Sequence, residues 1–288
     1  MRNGLRSTTR GERHGDRARS VFRRSAAAAV KGDGEACGGS AASEVVWVYA
    51  VTADLDTDQI SGLTGVAGEP VRVVPEADGA HPGRRPPGTP RIGAVVGSVD
   101  DAMFGEHSLT SLLTDLTSVE TVGRAHHKVI ASTASAGPVV PLRLATTYPD
   151  DATIRTLLAA RRAELSEMLQ DFAGRQEWGV KVYVEPWAVA ARPACETGRE
   201  WRWVAAEAWV EKIGQALSAI AVATRRHPSL DPVPGDQAGW LALHGAYLLS
   251  AERSAEFGEI VQALAAEHDA LRADVTGPWP PYSFCGPN

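Results

Sequence analysis

The sequence predicts an α+β protein of two domains, and three observations lead to that prediction. Short runs of β-branched and aromatic residues alternate with longer segments whose apolar residues recur every three or four positions, as in buried strands and amphipathic helices. The chain has 288 residues, enough for two domains, and Gly137-Pro138 interrupts it between two groups of such segments. We therefore expect an extension over residues 1–43, a first domain over residues 44–137 and a second over residues 138–288.

Residues 1–43 differ in composition from the rest of the chain. They contain eight arginines and one lysine against four acidic residues, so residues 44–288 carry a net charge of −11 within the total of −6. Their few large apolar residues do not offset the entropy of ordering, which predicts a disordered basic extension. We expect either a solvated tail or a translation start that was assigned too far upstream. The alternative is a basic segment that binds phosphates or acidic partners. The acidic remainder argues against nucleic-acid binding by the folded part.

The first domain is predicted from its apolar runs. Residues 45–51 (VVWVYAV) are typical of a buried strand. The elements expected next are a short helix over residues 54–63, strands over 71–74 and 92–99, and a loop over 75–90 with five prolines and three glycines between those strands. Two helical patterns follow, from Leu109 to Leu116 and from Val119 to Ile130.

The second domain is predicted to be ferredoxin-like, with a large insertion. The expected elements are a strand over 139–147, a helix over 150–172, a strand over 178–185, a strand over 240–249, a helix over 252–269 and a strand over 271–275. This order is βαβ, insertion, βαβ, which indicates a split βαβ sheet.

The insertion, at about residues 196–227, has a heptad pattern. Trp203, Val210 and Leu217 are seven residues apart, and Ala206, Ile213 and Ile220 each follow one of them by three residues, at the d positions. The helix over 150–172 repeats the pattern at Leu158, Leu165 and Phe172, interrupted by Arg161. Two such seams can bury each other, so the sequence predicts an antiparallel coiled-coil arm.

The sequence indicates no catalytic, metal-binding or cofactor-binding residues. Nucleotide and hydrolase motifs are absent, and the glycines at 62, 65 and 68 are interpreted as a turn-rich connector. His126 lies on an apolar helical stripe, which favours a hydrogen-bonded core histidine over a metal ligand shared with His127. Three distant cysteines fit a reducing cytoplasm, and no apolar stretch approaches the length of a membrane span.

Two aromatic groups are candidates for contact with a partner. Trp201 and Trp209 lie off the heptad seam and could pack on the sheet or form a contact surface. The C-terminal residues 277–288 are predicted to form an extended, semi-rigid tail because prolines fix φ and donate no N–H. Its candidate contact residues are Trp279, Pro280, Pro281, Tyr282 and Phe284, and packing back on their own domain is the alternative.

Several segments resemble gas vesicle proteins of the GvpL/GvpF family in the same order along the chain. They are VWVYAV at 46–51, RAHHKVI at 124–130, VVPLRLATTYP at 139–149, EWGVKVYVE at 177–185, GAYLLS at 245–250 and the terminal GPWPPYSF at 277–284. The resemblance covers roughly residues 45–285. One departure is at Leu144 and Ala145, where the family strand usually has an aromatic residue and a glycine.

The resemblance implies a non-enzymatic structural or assembly protein of the gas vesicle. It would be cytoplasmic and would contact the small hydrophobic shell protein and other accessory proteins, with no role for nucleic acid, membrane or cofactor. It also implies two α+β domains, the second ferredoxin-like with a coiled-coil extension. The alternative from another class is a ferredoxin-like sensor or enzyme domain that binds a small ligand, which the lack of a convergent polar cluster disfavours.

Overall fold

The computed structural model describes residues 43–77, 90–105, 108, 114–185, 196–228 and 240–285, without the side chains of residues 196–206. Residues 1–42 of the expected extension lie outside these ranges, as do residues 78–89 of the proline-rich loop and residues 109–113 of the first predicted helical pattern. The described residues divide into two compact units, one ending at Ala173 and the other beginning at Gly174.

The first unit is built on an antiparallel sheet that has five strands among the described residues. They are β1 (Glu44–Ala53), β2 (Arg72–Pro75), β3 (Ile92–Asp100), β4 (Val139–Pro141) and β5 (Thr147–Tyr148). The order is β2-β3-β1-β4, and β5 also pairs with β1. Because β1 is central, its residues from Val46 to Val51 are all buried, as the run VVWVYAV predicts.

Helices pack against this sheet. They are α1 (Asp101–Phe104), α2 (Leu116–Ala136), α3 (Asp151–Ala160) and α4 (Arg162–Phe172). α2 begins after Asp115, whose carboxylate accepts the Ser118 amide at 2.9 Å, and it ends before Gly137. Its buried stripe, which contacts β1 and β4, consists of Val122, His126, Val129, Ile130 and Thr133. The short helix predicted over 54–63 is a 3₁₀ turn, Thr57–Ile60.

The segment over residues 139–148 does not open the second domain, contrary to the prediction. β4 and β5 both pair with β1, and between them Ala145 has a φ of +66°, which ends the extended run. α3 and α4 then pack on strands of this same sheet. The boundary expected near residue 137 therefore lies at Gly174, whose own φ of +66° suits glycine at the end of a helix.

The second unit contains a four-stranded antiparallel sheet in the part of the chain that is described. Its elements are β6 (Arg175–Val184), α5 (Glu196–Ile220), β7 (Ala223–Arg226), β8 (Trp240–Ser250), α6 (Ala251–Ala266) and β9 (Leu271–Trp279). The sheet order is β7-β8-β6-β9. The chain order is β-α-β-β-α-β, and each helix connects two strands that are separated in the sheet by a third, which is a split βαβ arrangement.

The predicted coiled-coil arm is wrong. Val210, Ile213 and Leu217 of α5 are buried in a core with residues of β6, β8, β9 and α6. Leu165 of α4 is fully buried in the first unit, where α4 packs on β1, β3 and β4. Each helix thus buries its described heptad residues on the sheet of its own unit, because an apolar stripe of two or three heptads suits a sheet as well as another helix. The segment at 196–227 is accordingly α5 plus β7, integral parts of the sheet unit.

Candidate functional site

The candidate site lies on the face of the second sheet opposite the core that it forms with α5 and α6. Side chains alternate between the two faces of a strand, so Val180, Val182 and Val184 of β6 enter the core beneath α5 and α6. Glu177, Gly179, Lys181 and Tyr183 therefore point to the opposite side. We call this side the helix-free face, because α5 and α6, the helices described in this unit, both pack on the other side.

Strand register defines two adjacent rows across the helix-free face. The first row contains Ala223, Leu248, Glu177 and Trp279, and the second contains Arg225, Ala246, Gly179 and Thr276. Leu248 and Ala246 are each only 2% exposed, although neither belongs to the core on the helix side. Something other than a helix therefore covers this part of the sheet.

The C-terminal segment lies over this face. After Trp279, the last residue of β9, Pro280 and Pro281 are buried, and Tyr282–Phe284 form a 3₁₀ turn. Gly277 has a φ of +138°, and a Cβ there would lie 3.0 Å from both the Glu177 carbonyl oxygen and the Trp178 ring, so the position requires glycine. We call residues 280–285 the C-terminal strap.

Glu177 holds the strap to the sheet. The Ser283 backbone N–H donates to Glu177 Oε2 at 2.7 Å, and the Ser283 hydroxyl donates to Oε1 at 2.6 Å. The carboxylate is 7% exposed. Burial raises its pKa, an effect that the Ser283 bonds and the charge of Arg225 oppose. Burial in turn lowers the pKa of Arg225, whose guanidinium lies 6.0 Å from the Phe284 ring centroid.

The structure distinguishes among the candidate contact residues. Trp279 is 40% exposed, whereas Pro280 and Pro281 are buried and Tyr282 and Phe284 are half-buried. The strap thus packs back on its own unit, which was the alternative to a free tail.

Of the two candidate tryptophans on α5, the structure describes the side chain of Trp209 and not that of Trp201. Trp209 is half-buried, with Lys212 Nζ 4.1 Å above its ring and the His268 ring 5.8 Å away. It packs within the second unit. Trp201 lies in the part of α5 whose side chains are outside the described set.

Sequence reasoning missed Glu177, Arg225 and Ser283. The alternation of EWGVKVYV places Glu177 on the same face as Lys181, which is the pattern of a solvated carboxylate. Only the return of the chain 106 residues later buries it. The run Pro280-Pro281-Tyr282 could have indicated it, since apolar residues that follow an edge strand tend to pack against the protein.

His126 is a core histidine, as the sequence predicts. The Trp47 indole N–H donates to His126 Nδ1 at 3.0 Å, so the imidazole carries its proton on Nε2, which donates to the Leu142 carbonyl oxygen at 3.1 Å. Burial lowers the pKa of His126 to about 4. The neutral ring has both nitrogens occupied by protein, so neither is available to a metal.

The connector with glycines at 62, 65 and 68 is structural. Tyr49 donates to Glu69 Oε1 at 2.5 Å and accepts the Val66 amide at 2.9 Å. A Cβ at Gly65 would lie 1.8 Å from that carboxylate oxygen, and one at Gly97 2.2 Å from it. The absence of a side chain at Gly65 and Gly97 therefore makes room for Glu69.

Two features that the described residues lack bear on function. No group of three or more His, Cys, Asp or Glu side chains could hold a metal ion there. None of the described helices combines the length and the hydropathy needed to cross a membrane.

Comparison with known proteins agrees with the fold and identifies the family. The family model described as gas vesicle synthesis protein GvpL/GvpF matches residues 45–200 and 194–286. The chain is 33% identical over 260 residues to gas vesicle protein L of a Streptomyces species, covering 83% of this chain and 92% of that protein. It is 23% identical over 201 residues to gas vesicle protein F2 of Halobacterium salinarum, covering 67% and 83%.

Two solved structures have a similar fold. The crystal structure of GvpF from Anabaena sp. PCC7120 matches with a TM-score of 0.60 at 16% identity, covering 85% of this chain and 98% of that one. GvpF from Microcystis aeruginosa matches with a TM-score of 0.57, also at 16% identity, covering 84% and 98%. Because the two matched ranges together cover residues 45 to 286, the chain belongs to the GvpL/GvpF family of gas vesicle synthesis proteins.

Proposed function

We propose that this protein is a non-enzymatic accessory protein of the gas vesicle that acts in the cytoplasm by binding the hydrophobic shell protein and other accessory proteins. The family-model match over residues 45–200 and 194–286 carries the proposal. Shell subunits are small and apolar, so before assembly they need a partner that shields their hydrophobic surface from water. The second unit, with the element order of a ferredoxin-like fold, is the platform to which we assign this contact.

Trp279 is the contact residue that the geometry favours. It lies on β9, at the edge of the second sheet, and it is the exposed member of the candidate contact segment. Tryptophan supplies a large apolar area with few rotatable bonds, which is why it is common among residues that dominate binding energy. The other members, Pro280, Pro281, Tyr282 and Phe284, lie against the sheet and are not part of the assigned contact.

Addition of a shell strand along the whole sheet edge is less favoured than contact through side chains. On β9, the outward carbonyl of Ala273 already accepts Gln262 Nε2 at 3.1 Å, and Pro278 has no N–H to donate. The opposite edge strand, β7, has only four residues. Short and capped edges are how sheets avoid pairing with other chains.

The test is capture of purified shell protein, kept soluble by fusion to a carrier. Trp279→Ala should weaken capture at least about fivefold, as expected for an exposed aromatic anchor. Leu116→Ala is the matched control, because Leu116 is 84% exposed but lies in the first unit. A form without residues 1–42 should capture as well as the full chain.

Equal capture by Trp279→Ala and the full chain would remove Trp279 from the interface. Loss of capture on removing residues 1–42 would indicate an electrostatic contact through the basic extension. If the full chain itself captures nothing above the carrier control, direct binding of the shell protein is wrong.

A further inference from the structure

We propose that the C-terminal strap is a releasable, autoinhibitory cover, latched by Glu177 and Ser283, over an apolar part of the helix-free face. In the closed state, residues 280–285 occupy this surface; in the open state, the surface is available to an apolar segment of the shell protein. The identity of that partner rests on the proposed function, whereas the opening of the strap does not.

The strap crosses an apolar part of the sheet, because it contacts Glu177 and Arg225, and Leu248 and Ala246 lie beside these two residues in the rows. Leu248 and Ala246 lie on the helix-free face in the rows of Glu177 and Gly179 and are 2% exposed. Pro280 and Pro281, which lead from Trp279 into the 3₁₀ turn of the strap, are buried as well. Opening would therefore expose apolar area on both the strap and the sheet. An apolar segment of a partner could bury this area favourably.

The closed state is only weakly favoured over the open one, because closing removes two charged groups from water. The Glu177 carboxylate is buried, and burial is the largest influence on its pKa, which is raised. Arg225, on the neighbouring row, is also partly desolvated, and its pKa is lowered. Desolvation of buried charges offsets much of the gain from their hydrogen bonds and mutual attraction. Opening returns both groups to water, so the closed and open states differ by less than the number of contacts suggests.

The strap can leave without disturbing the sheet. The pairing of β9 with β6 ends at Trp279, opposite Glu177, and the strap begins at the next residue. Ser283 ties the strap to the sheet through the two hydrogen bonds that it donates to the Glu177 carboxylate. Trp279 adjoins the strap, so a partner that contacts Trp279 lies beside the surface that opening exposes.

Cys285 reports the state of the strap. Its thiol donates to the Pro281 carbonyl oxygen at 3.1 Å, and burial raises the thiol pKa well above its usual value. Alkylation requires the thiolate, so it is slow in the closed state and faster in the open one. We would measure the alkylation rate by iodoacetamide in a Cys37→Ser/Cys195→Ser background, which leaves Cys285 as the single cysteine.

Ser283→Ala should raise the alkylation rate at least about fivefold, because it removes one of the two bonds to Glu177 without changing any charge near the thiol. Ser218→Ala is the matched control: this serine donates to the Gly214 carbonyl within α5, far along the chain from the strap. A rate for Ser283→Ala within about twofold of the Ser218→Ala rate overturns the latch.

Capture of the carrier-fused shell protein tests the inhibitory role. Both Ser283→Ala and a form truncated after Trp279 should capture several times more than the full chain, and the truncated form guards against a substitution that perturbs folding. Faster alkylation with unchanged or reduced capture would show a strap that opens but does not inhibit, and would overturn that role. No capture by any form would contradict the proposed function and the inhibitory role together, while alkylation would still decide whether the strap opens.

Discussion

Ala145 has a backbone conformation that glycine adopts more readily. Its φ is +66°, in the left-handed region where a Cβ is sterically unfavourable, and the residue is 8% exposed. The GvpL/GvpF resemblance indicates glycine as the usual residue at this position. The turn between β4 and β5 therefore carries strain in this chain.

Ala145→Gly should stabilise the first unit by about 1 kcal/mol, because relief of the left-handed strain exceeds the added flexibility of the unfolded chain. Chemical denaturation followed by tryptophan fluorescence would measure the change. Ala131→Gly, in the interior of α2, is the control and should destabilise by roughly 0.5–1 kcal/mol. Destabilisation by both substitutions would contradict the strain at Ala145.

His126 should make the stability of the first unit depend on pH. Its pKa of about 4 lies below the ordinary value of 6.5, so the unfolded chain binds more protons than the folded one between these values. The stability contributed by the neutral ring is complete above pH 6.5 and is lost as pH falls towards 4. At about 1.4 kcal/mol per pH unit, the loss approaches roughly 3 kcal/mol.

NMR titration of the imidazole would measure this pKa directly. We expect the His126 ring to stay neutral at pH 5.5 with its Nε2 proton in place. A titration midpoint at or above 6 would contradict the buried, hydrogen-bonded arrangement.

Among elements, α5 differs most from its prediction. The spacing of Val210, Ile213 and Leu217 predicts which face of the helix is buried. It does not predict the partner of that face, because an apolar helix face can pack on a sheet or on another helix. β7 was missed because ATRR has two arginines in four residues. Arg226 nevertheless fits, since its guanidinium reaches Glu211 Oε2 at 2.9 Å.

Strands with strong β-branched runs, such as β1, β3 and β6, could be predicted closely, whereas the pairing of β4 with β1 depends on tertiary contacts that no local pattern contains.

Ile213→Ala should cost the second unit about 2–4 kcal/mol, because the side chain is 1% exposed within the sheet core. Glu207→Ala, on the exposed side of α5, should change stability by less than about 0.5 kcal/mol. The double variant with Leu165→Ala tests the coiled-coil alternative.

The effects of Ile213→Ala and Leu165→Ala should add within about 0.5 kcal/mol, since each residue packs in the core of its own unit. A coupling of more than about 1 kcal/mol would restore direct seam-to-seam packing of α4 and α5.

For the whole molecule, the charge distribution and the assigned contact surface indicate two different modes of binding. Residues 1–43 are basic and residues 44–288 carry a net charge of −11, so an electrostatic mode of binding would use the extension. The surface that we assign to the shell protein is instead Trp279 and, once the strap opens, the apolar residues Leu248 and Ala246. Of this site, only Trp279 could be named from the sequence, because the burial of Glu177 depends on where the chain returns.

Salt separates the two modes of binding, because ions screen charges but do not weaken the burial of apolar surface. The most direct test is the dissociation constant of the full chain for carrier-fused shell protein, measured from about 0.05 to about 0.5 M NaCl. Binding through the apolar surface predicts a constant that changes by less than about threefold over this range. Weakening of about tenfold or more would contradict it and would assign the contact to charged residues.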